Sequence, residues 1–305
     1  MRKQSLGGST LAIFLVAGSA RAQVGDSVAS VSYERYPYAA APNNPSAQVG
    51  LQVFRVRAGY PIRFAKGTIL IPGLAYELLD FQQRDGRGPH IGALHAPVAS
   101  LTGIQMITPR LMILASVGAG LASDFDSRVS IDDLQFNVTG MGLYKFSDTF
   151  SLGAGVSYNR QTGTLSPVPA VALNWEITDR TRVRGFVPAL LNVEYRASPW
   201  LTVGVRGTLE GNRFHLSGTK YGRDNLQLAY STVTVGPKMT FRLADLLHLD
   251  VYASAAVWRR YEVFIDGDSV TDKYLSPVAL FGARLWVGPS GWRGDRALET
   301  KKRAP

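Results

Sequence analysis

The stretch Val233–Leu243, VTVGPKMTFRL, alternates between two kinds of side chain at every step. Odd-numbered positions are apolar, whereas even-numbered positions carry threonine, glycine, lysine or arginine. Strict alternation of this kind predicts a β-strand with one apolar and one polar face. The polar face includes the full charges of Lys238 and Arg242. Charges within a strand are typical of a membrane barrel, in which one face meets lipid and the other meets a wet interior.

The same alternation recurs along most of the chain, in Leu134–Phe146, Phe150–Asn159, Val171–Ile177, Leu191–Ala197, Leu201–Asn212 and Leu247–Val257. The longest of these segments keep their phase for 12 or 13 residues. That length suits a tilted membrane strand of about 9 to 11 residues better than a soluble sandwich strand of about 5 to 6. A sheet edge in lipid would leave backbone groups unpaired, so the sheet must close on itself. The sequence therefore predicts an all-β fold, a closed antiparallel up-and-down transmembrane β-barrel.

Short and long connections between the predicted strands alternate, as they do at the two ends of outer-membrane barrels. Strands are predicted to begin near Ser27, Ala47, Gly67, Leu94, Arg110, Asp133, Thr149, Pro167, Thr181, Ala189, Leu201, Asn225, Leu247 and Ser276. The tight connections are Thr108–Pro109, Ser147–Asp148, Thr178–Arg180, Ser198–Pro199 and Ala244–Asp245, and the long ones are Ala39–Ser46, Gln82–Ala93, Asp124–Asp132, Ser217–Asp224 and Asp266–Lys273. The pattern predicts 14 strands. Twelve is the alternative, because the strand Arg182–Val187 is short and is followed at once by Pro188.

The first 22 residues have the pattern of a cleaved secretory signal peptide. Met1–Lys3 begins with positive charge, Leu11–Ala17 is apolar, and Ala20–Ala22 offers a small-x-small cleavage site. The predicted organisation is a signal peptide over 1–22, a barrel over 23–288 and a flexible basic tail over 289–305. Export of a barrel favours the bacterial outer membrane as its location, with both termini in the periplasm.

Composition excludes several other classes of protein. Only 18% of the 305 residues are charged, below the roughly 25% of a soluble domain. The longest uncharged apolar stretch after the signal peptide, Leu111–Ala122, is too short for a spanning helix of about 20 residues. The sequence has no cysteine, which removes disulfide scaffolds and thiol nucleophiles. The net charge of +10 is spread singly along the strands, so we expect no nucleic-acid partner.

Short motifs in the last third of the chain carry a family resemblance. They are Val187-Pro188, Val193-Glu194-Tyr195-Arg196, Ser198-Pro199, Leu209–Arg213 and the final strand Val278–Val287. With them, the chain resembles single-domain bacterial outer-membrane β-barrel proteins, and most closely an uncharacterised single-barrel family, a domain of unknown function. The resemblance implies outer-membrane lipids and lipopolysaccharide as surroundings, and the barrel-insertion machinery as a partner during biogenesis.

The charges on the predicted inward faces suggest two functions. Eleven basic side chains are assigned to the lumen, namely Arg55, Arg57, Lys145, Arg182, Arg184, Arg196, Arg206, Lys238, Arg242, Arg260 and Arg284. Seven acidic ones face them, namely Glu34, Glu77, Glu176, Glu194, Glu210, Asp250 and Glu262. The excess of cations predicts a narrow small-solute channel with a weak preference for anions. Alternatively, opposite charges pair across the lumen and fill it, which makes a closed structural barrel.

The candidate lumen-lining residues on which either function rests are Arg182, Arg184, Glu194, Arg196, Arg206, Glu210, Lys238, Arg242 and Arg284. Arg182, Arg184, Arg196 and Arg206 lie on three successive predicted strands, so their positive charge is concentrated on one part of the wall.

A third hypothesis is a lipid esterase. His215 and Ser217 are two positions apart, so they share one face of a strand, and an imidazole there can activate the hydroxyl. Outer-membrane lipid esterases use a histidine and a serine at this spacing, but the Asn-Gly that follows in phospholipase-like barrels is replaced by Gly218-Thr219. We therefore expect no enzymatic activity and keep the esterase as an alternative.

Two loops contain several carboxylates each, but neither matches a calcium-loop template. The first holds Asp124, Asp126, Asp132 and Asp133, and the second holds Asp266, Asp268 and Asp272. Acidic residues are common in solvated loops. We expect no metal site and no cofactor.

Overall fold

The computed structural model describes residues 27–41, 44–84, 91–126, 128–159, 166–217, 225–289 and 292. These ranges contain sixteen strands: β1 (Ala29–Ala41), β2 (Asn44–Gly59), β3 (Ile62–Ala65), β4 (Thr68–Arg84), β5 (Gly92–Met106), β6 (Leu111–Leu121), β7 (Leu134–Lys145), β8 (Phe150–Asn159), β9 (Ser166–Glu176), β10 (Thr181–Val187), β11 (Leu190–Arg196), β12 (Leu201–Leu216), β13 (Leu226–Arg242), β14 (Leu247–Ile265), β15 (Asp268–Tyr274) and β16 (Val278–Val287). A single-turn 3₁₀ helix, Ile131–Asp133, precedes β7. The described residues form no helix that is long and apolar enough to cross a membrane.

Fourteen of these strands form one closed antiparallel ring, and β3 and β15 are short additions paired to β4 and β14. Neighbours in the ring follow chain order from β1 to β14, and β16 pairs with both β14 and β1. The pairing of Ala29 with Val287 through Arg35 with Phe281 closes the barrel. Every strand in the ring has two neighbours, so the sheet closes on itself as an up-and-down barrel.

The strand prediction is confirmed at 14 strands, and the alternative of 12 is wrong. Each ring strand begins within three residues of its predicted start. β10 and β11, the weakest part of the prediction, are separate strands of seven residues each. Two predicted loops are wrong, however. The segment Ala39–Ser46 belongs mostly to β1 and β2, and Asp266–Lys273 contains β15, which returns along β14 after a turn at Asp266 and Gly267 with φ of 52° and 92°.

The two ends of the barrel differ in their connections. The short-turn end carries the connections 107–110, 146–149, 177–180, 197–200 and 243–246, and one longer connection, 60–67, which contains β3. The long-loop end carries the longer connections 85–91, 122–133, 160–165, 217–225 and 266–277, together with two tight ones, 42–43 and 188–189. Both β1 and β16 have their chain-terminal ends, Ala29 and Val287, at the short-turn end.

The outer face is apolar, whereas the inner face carries polar as well as apolar side chains. Val117, Phe136, Val156 and Val205 are exposed on the outer face, and they form part of the apolar surface that a bilayer requires. On the inner face, hydroxyls pair between neighbouring strands at 2.8 Å in Thr102–Ser116, Thr139–Ser157 and Thr208–Thr234. The predicted alternation of faces is therefore present in the folded barrel.

The barrel narrows toward the long-loop end. β10 and β11 stop at Val187 and Leu190, whereas β12 continues to Leu216 and has no β11 neighbour there. Residues Ala122–Asp124 occupy the vacant edge: the His215 backbone N–H donates to the Ala122 carbonyl at 3.0 Å. On its other side, Ser123 pairs with His95 of β5. At this level β5 and β12 are thus separated by one short segment instead of six strands, and the circumference is smaller.

The assigned faces predict different penalties at adjacent positions of β13. Replacing Val235 with Arg should lower the free energy of unfolding by about 2 to 4 kcal/mol, because a lipid-facing cation near mid-membrane is costly. Val235 is exposed on the outer face, whereas the buried Thr234 faces the lumen. Replacing Thr234 with Val should lower the free energy of unfolding by about 1 kcal/mol, because the hydrogen bond to Thr208 is lost. Urea unfolding in lipid vesicles measures both, and equal penalties would contradict the register.

Candidate functional site

An apolar cluster, here called the apolar seal, fills the narrow part of the barrel. Its buried members are Tyr36, Leu51, Val53, Leu79, Phe81, Leu94, Ala96, Ala122, Phe214, Leu216, Leu228, Tyr230, Tyr252, Ala256 and Leu280. Phe214 and Tyr230 stack with ring centroids 6.4 Å apart, and Phe81 meets Tyr261 edge-on at 5.7 Å. The strands β12, β13, β14, β16, β1, β2, β4 and β5 all contribute, so the seal brings together side chains from all around the narrow part of the lumen.

An ion cluster lies on the short-turn side of the apolar seal and is centred on Arg55 of β2. Its guanidinium donates to Glu34 at 2.9 Å, to Glu77 at 2.8 Å and to Glu210 at 2.6 Å. Arg206 lies 3.4 Å from Glu210 and 3.7 Å from Glu34. β2 and β12 are not neighbours in the ring, so the Arg55–Glu210 contact spans the lumen. We call these five residues the central ion cluster.

A second set of ion pairs, the Glu194 cluster, is centred on β11. The Glu194 carboxylate accepts from Arg182 at 2.7 Å and from Lys238 at 2.6 Å, and lies 3.1 Å from Arg184. Only 2% of Glu194 is exposed. Three cations around one carboxylate leave this cluster with net positive charge.

The short-turn end of the lumen is occupied by Trp292. This residue lies within the predicted flexible tail, yet only 4% of it is exposed. The Arg182 guanidinium lies 4.0 Å from the centre of the indole ring, and that of Arg196 lies 5.8 Å from it, within the usual range of cation–π contacts. Residues 293–305 lie outside the described part of the chain.

The structure brings six of the nine candidate lumen residues into the two ion clusters: Arg182, Arg184, Glu194, Lys238, Arg206 and Glu210. The other three lie toward the short-turn end. Arg196 contacts Trp292, Arg242 lies 3.3 Å from Asp245 in a turn, and Arg284 donates to the Ser27 hydroxyl at 2.8 Å.

Two predicted lumen residues are wrong, and one buried cation was missed. Alternation along β14 assigns Arg260 and Glu262 to the inner face, but the register shifts between Ala256 and Trp258. A β-bulge of this kind reverses the facing of every later residue. Arg259 therefore points inward, with only 1% exposed, toward the rings of Tyr36 and Tyr261. The segment Ala256–Trp258 contains no proline or glycine, so the sequence gives no indication of the bulge.

His215 and Ser217 do not form an accessible catalytic pair. The His215 Nδ1 lies 2.9 Å from the Asp133 carboxylate, which supplies a partner that the sequence did not identify. Ser217, however, has no exposed surface, and its backbone N–H donates to Asp124 at 3.0 Å. A hydroxyl without exposed surface cannot be reached by a lipid ester. The geometry gives the esterase alternative no support, and these contacts attach the 122–133 connection to β12.

The carboxylates of that connection act as hydrogen-bond acceptors. Asp133 accepts from the Ser130 backbone at 2.6 Å, and Asp124 accepts from the Asp126 backbone at 3.2 Å. Burial acts to raise the pKa of Asp133, but hydrogen bonds from Ser130, Ser123 and His215 outweigh it and hold this pKa below its ordinary value. In the described ranges, no three histidine or acidic side chains are grouped as a metal ion would require.

One protein family matches most of the barrel. A family model described as Domain of unknown function (DUF6268) covers residues 73–266. The chain belongs to this family. This match confirms the resemblance inferred from the sequence motifs. A comparison with curated proteins found no match.

Several solved structures are similar to this chain at low sequence identity. A TodX monoaromatic hydrocarbon channel with the deltaS2 mutation is 10% identical, over 85% of this chain and 89% of that one, with a TM-score of 0.45. An outer-membrane channel from Pseudomonas putida F1 is 10% identical, over 90% and 97%, with a TM-score of 0.44. A KdgM porin in complex with disordered oligogalacturonate is 10% identical, over 84% and 97%, with a TM-score of 0.35.

Removing the charge of Glu194 should destabilise the barrel. The Glu194→Gln variant leaves three inward-facing cations without their shared carboxylate, and we expect a loss of about 3 to 5 kcal/mol in the free energy of unfolding. The control is Asp148→Asn, because Asp148 pairs with Lys145 at 2.6 Å while 70% of its side chain is exposed. That variant should lose less than about 1 kcal/mol. Similar losses in the two variants would show that the Glu194 cluster is not buried.

The Asp133–His215 contact should weaken in acid. A carboxyl with a lowered pKa stabilises the folded state above its ordinary value of 3.8, and this contribution disappears as the pH falls through the folded pKa. At pH 7, Asp133→Asn should be less stable than the wild type by about 2 kcal/mol, because bonds to a charged acceptor are lost. Below the folded pKa of Asp133 the difference should vanish. A difference independent of pH, measured by urea unfolding, would mean that the ionised carboxylate is not what stabilises this contact.

Proposed function

We propose that the protein is an outer-membrane barrel whose lumen is closed in its resting state. The observation that carries this proposal is the burial of the charged side chains on the inner face. Exposure is 6% for Arg55, 3% for Glu34 and 7% for Lys238. Charged residues lining an open pore are wet, whereas these are covered by one another. Their role is to fill the wide lumen of a 14-stranded ring with paired charges.

The closure has three levels, and each uses a different interaction. The apolar seal excludes water at the long-loop end. The central ion cluster and the Glu194 cluster join strands that are not neighbours, through Arg55–Glu210 and Lys238–Glu194. At the short-turn end, Trp292 lies against Arg182. A solute crossing the barrel would have to displace all three levels, so closure supports the structural function over an open channel.

We further propose the orientation and the surroundings of the barrel. The short-turn end, with the termini, is assigned to the periplasm, because periplasmic turns are short in barrels of this kind. The exposed apolar outer face supports outer-membrane lipids and lipopolysaccharide as its surroundings, and insertion requires the barrel-insertion machinery. Export by a cleaved signal peptide over residues 1–22 remains part of the proposal, since these residues lie outside the described ranges. The proposal assigns no enzymatic activity to His215 and Ser217.

Planar-bilayer recording tests the closed state. Refolded protein should give no steady conductance steps at moderate voltage, because the three levels leave no aqueous path. Heat-modifiable gel mobility must show that the inserted protein is folded, and an open porin reconstituted in parallel must conduct. Steady steps from the folded protein would overturn the proposal in favour of the channel.

The channel hypothesis makes its own prediction about selectivity, which the same recordings test. If steps occur, the reversal potential across a KCl gradient should show a weak preference for anions, since basic side chains outnumber acidic ones on the wall. The double variant Arg184→Glu with Arg206→Glu should then shift the reversal potential toward cations.

A further inference from the structure

Arg259 is a buried cation without adequate partners among the described residues. Its Nε and Nη1 atoms have no hydrogen-bond partner among the described residues. The Nη2 atom reaches only the Tyr261 hydroxyl, at the long distance of 3.5 Å. The rings of Tyr36 and Tyr261 lie 5.8 and 5.9 Å from the guanidinium carbon, near the limit of about 6 Å for cation–π attraction.

Two further polar groups near Arg259 also lack partners. The Thr232 hydroxyl and the Asn212 amide nitrogen are buried and make no hydrogen bond within the described part of the chain. Thr232 is directly opposite Arg259 in the β13–β14 register, and Asn212 is opposite Tyr230, two residues from Thr232 on β13. Side chains opposite or diagonal on one face lie about 5 to 8 Å apart. The three groups therefore converge on one region, between the apolar seal and the central ion cluster.

The carboxylate of Glu210, which lies near Arg259, already binds other cations. Glu210 is opposite Thr232 in the β12–β13 register, but its two oxygens contact Arg55 at 2.6 Å and Arg206 at 3.4 Å. No described carboxylate forms an ion pair with Arg259, so its charge has no direct counter-charge among the described residues.

The uncompensated charge of Arg259 identifies the kind of ligand that is missing. A guanidinium cannot lose its proton inside a protein, and a buried charge without a counter-charge is strongly destabilising. Water could accept hydrogen bonds from Arg259 but would leave its charge uncompensated. The available groups are the N–H donors of Arg259 and Asn212 and the hydroxyl of Thr232, which together favour an anion.

We propose that Arg259, Thr232 and Asn212 hold one small monovalent anion of the halide class inside the barrel. One negative charge balances the guanidinium of Arg259, and a small ion suits a region enclosed by the rings of Tyr36 and Tyr261. The site lies on the long-loop side of the central ion cluster. It includes none of the residues from which anion selectivity was predicted. It is consistent with a closed lumen but does not require one.

Salt-dependent stability tests the site. Unfolding of the refolded barrel is compared in sodium chloride and sodium gluconate at equal ionic strength, since gluconate is too large to enter. With chloride at ten times its dissociation constant, the folded-to-unfolded ratio of the wild type should rise about tenfold. In Arg259→Met the chloride effect should be absent, and Thr232→Val should require a higher chloride concentration. The exposed Arg63, changed to Met, is the control and should keep the full chloride effect.

Crystals of the wild type grown in sodium bromide give an independent readout that does not depend on the folding of any variant. An anomalous bromide peak within about 3.5 Å of the Arg259 guanidinium supports the site. Ordered water at that position without an anomalous signal would overturn it. An equal chloride effect in the wild type and Arg259→Met would overturn it as well.

Discussion

The requirement that every backbone N–H and C=O within a membrane has a partner determines this structure more than any single contact. The β1–β16 pairing satisfies it for the ring as a whole. The same requirement arises locally above the short strands β10 and β11, where β12 would have a free edge. Residues Ala122–Asp124 satisfy it by pairing with His215, and their position draws β5 and β12 together. The long-loop end is therefore narrow because β10 and β11 end before their neighbours do.

The different diameters of the two parts explain why the lumen contains different chemistry at each level. In the narrow part, apolar side chains from opposite walls reach one another and pack as a core. Farther toward the short-turn end the full ring is wider, and a long side chain such as that of Arg55 spans it. A long cation extended into the lumen needs an acceptor from another wall. The ion clusters thus fill part of the wide barrel, beside a second apolar cluster that includes Ile71, Ile104, Leu114 and Met141.

The sequence predicts the ring well because alternation is a local property that each strand displays by itself. The starts of all fourteen strands, including β10 with its neighbouring Pro188, follow from it. It does not predict contacts between distant strands, such as Arg55 with Glu210 or Asp133 with His215, since these depend on the closed geometry. The candidate lumen residues were assigned only by their odd or even position along each strand, here called parity. Parity places Lys238 and Arg206 on the inner face, but it fails beyond the bulge at Val257, where a single extra residue reverses the later part of β14.

That bulge shows how a small irregularity changes the electrostatics of the lumen. Without it, Arg260 and Glu262 would face inward together, and the two charges would cancel. With it, Tyr261 and Val263 join the apolar seal while Arg259 enters the lumen alone. The bulge that lets Tyr261 and Val263 pack inward therefore also places the unpaired Arg259 inside the barrel. A residue whose charge is unmatched by any side chain around it is best explained by a ligand, because neither burial nor the surrounding rings compensate a guanidinium fully.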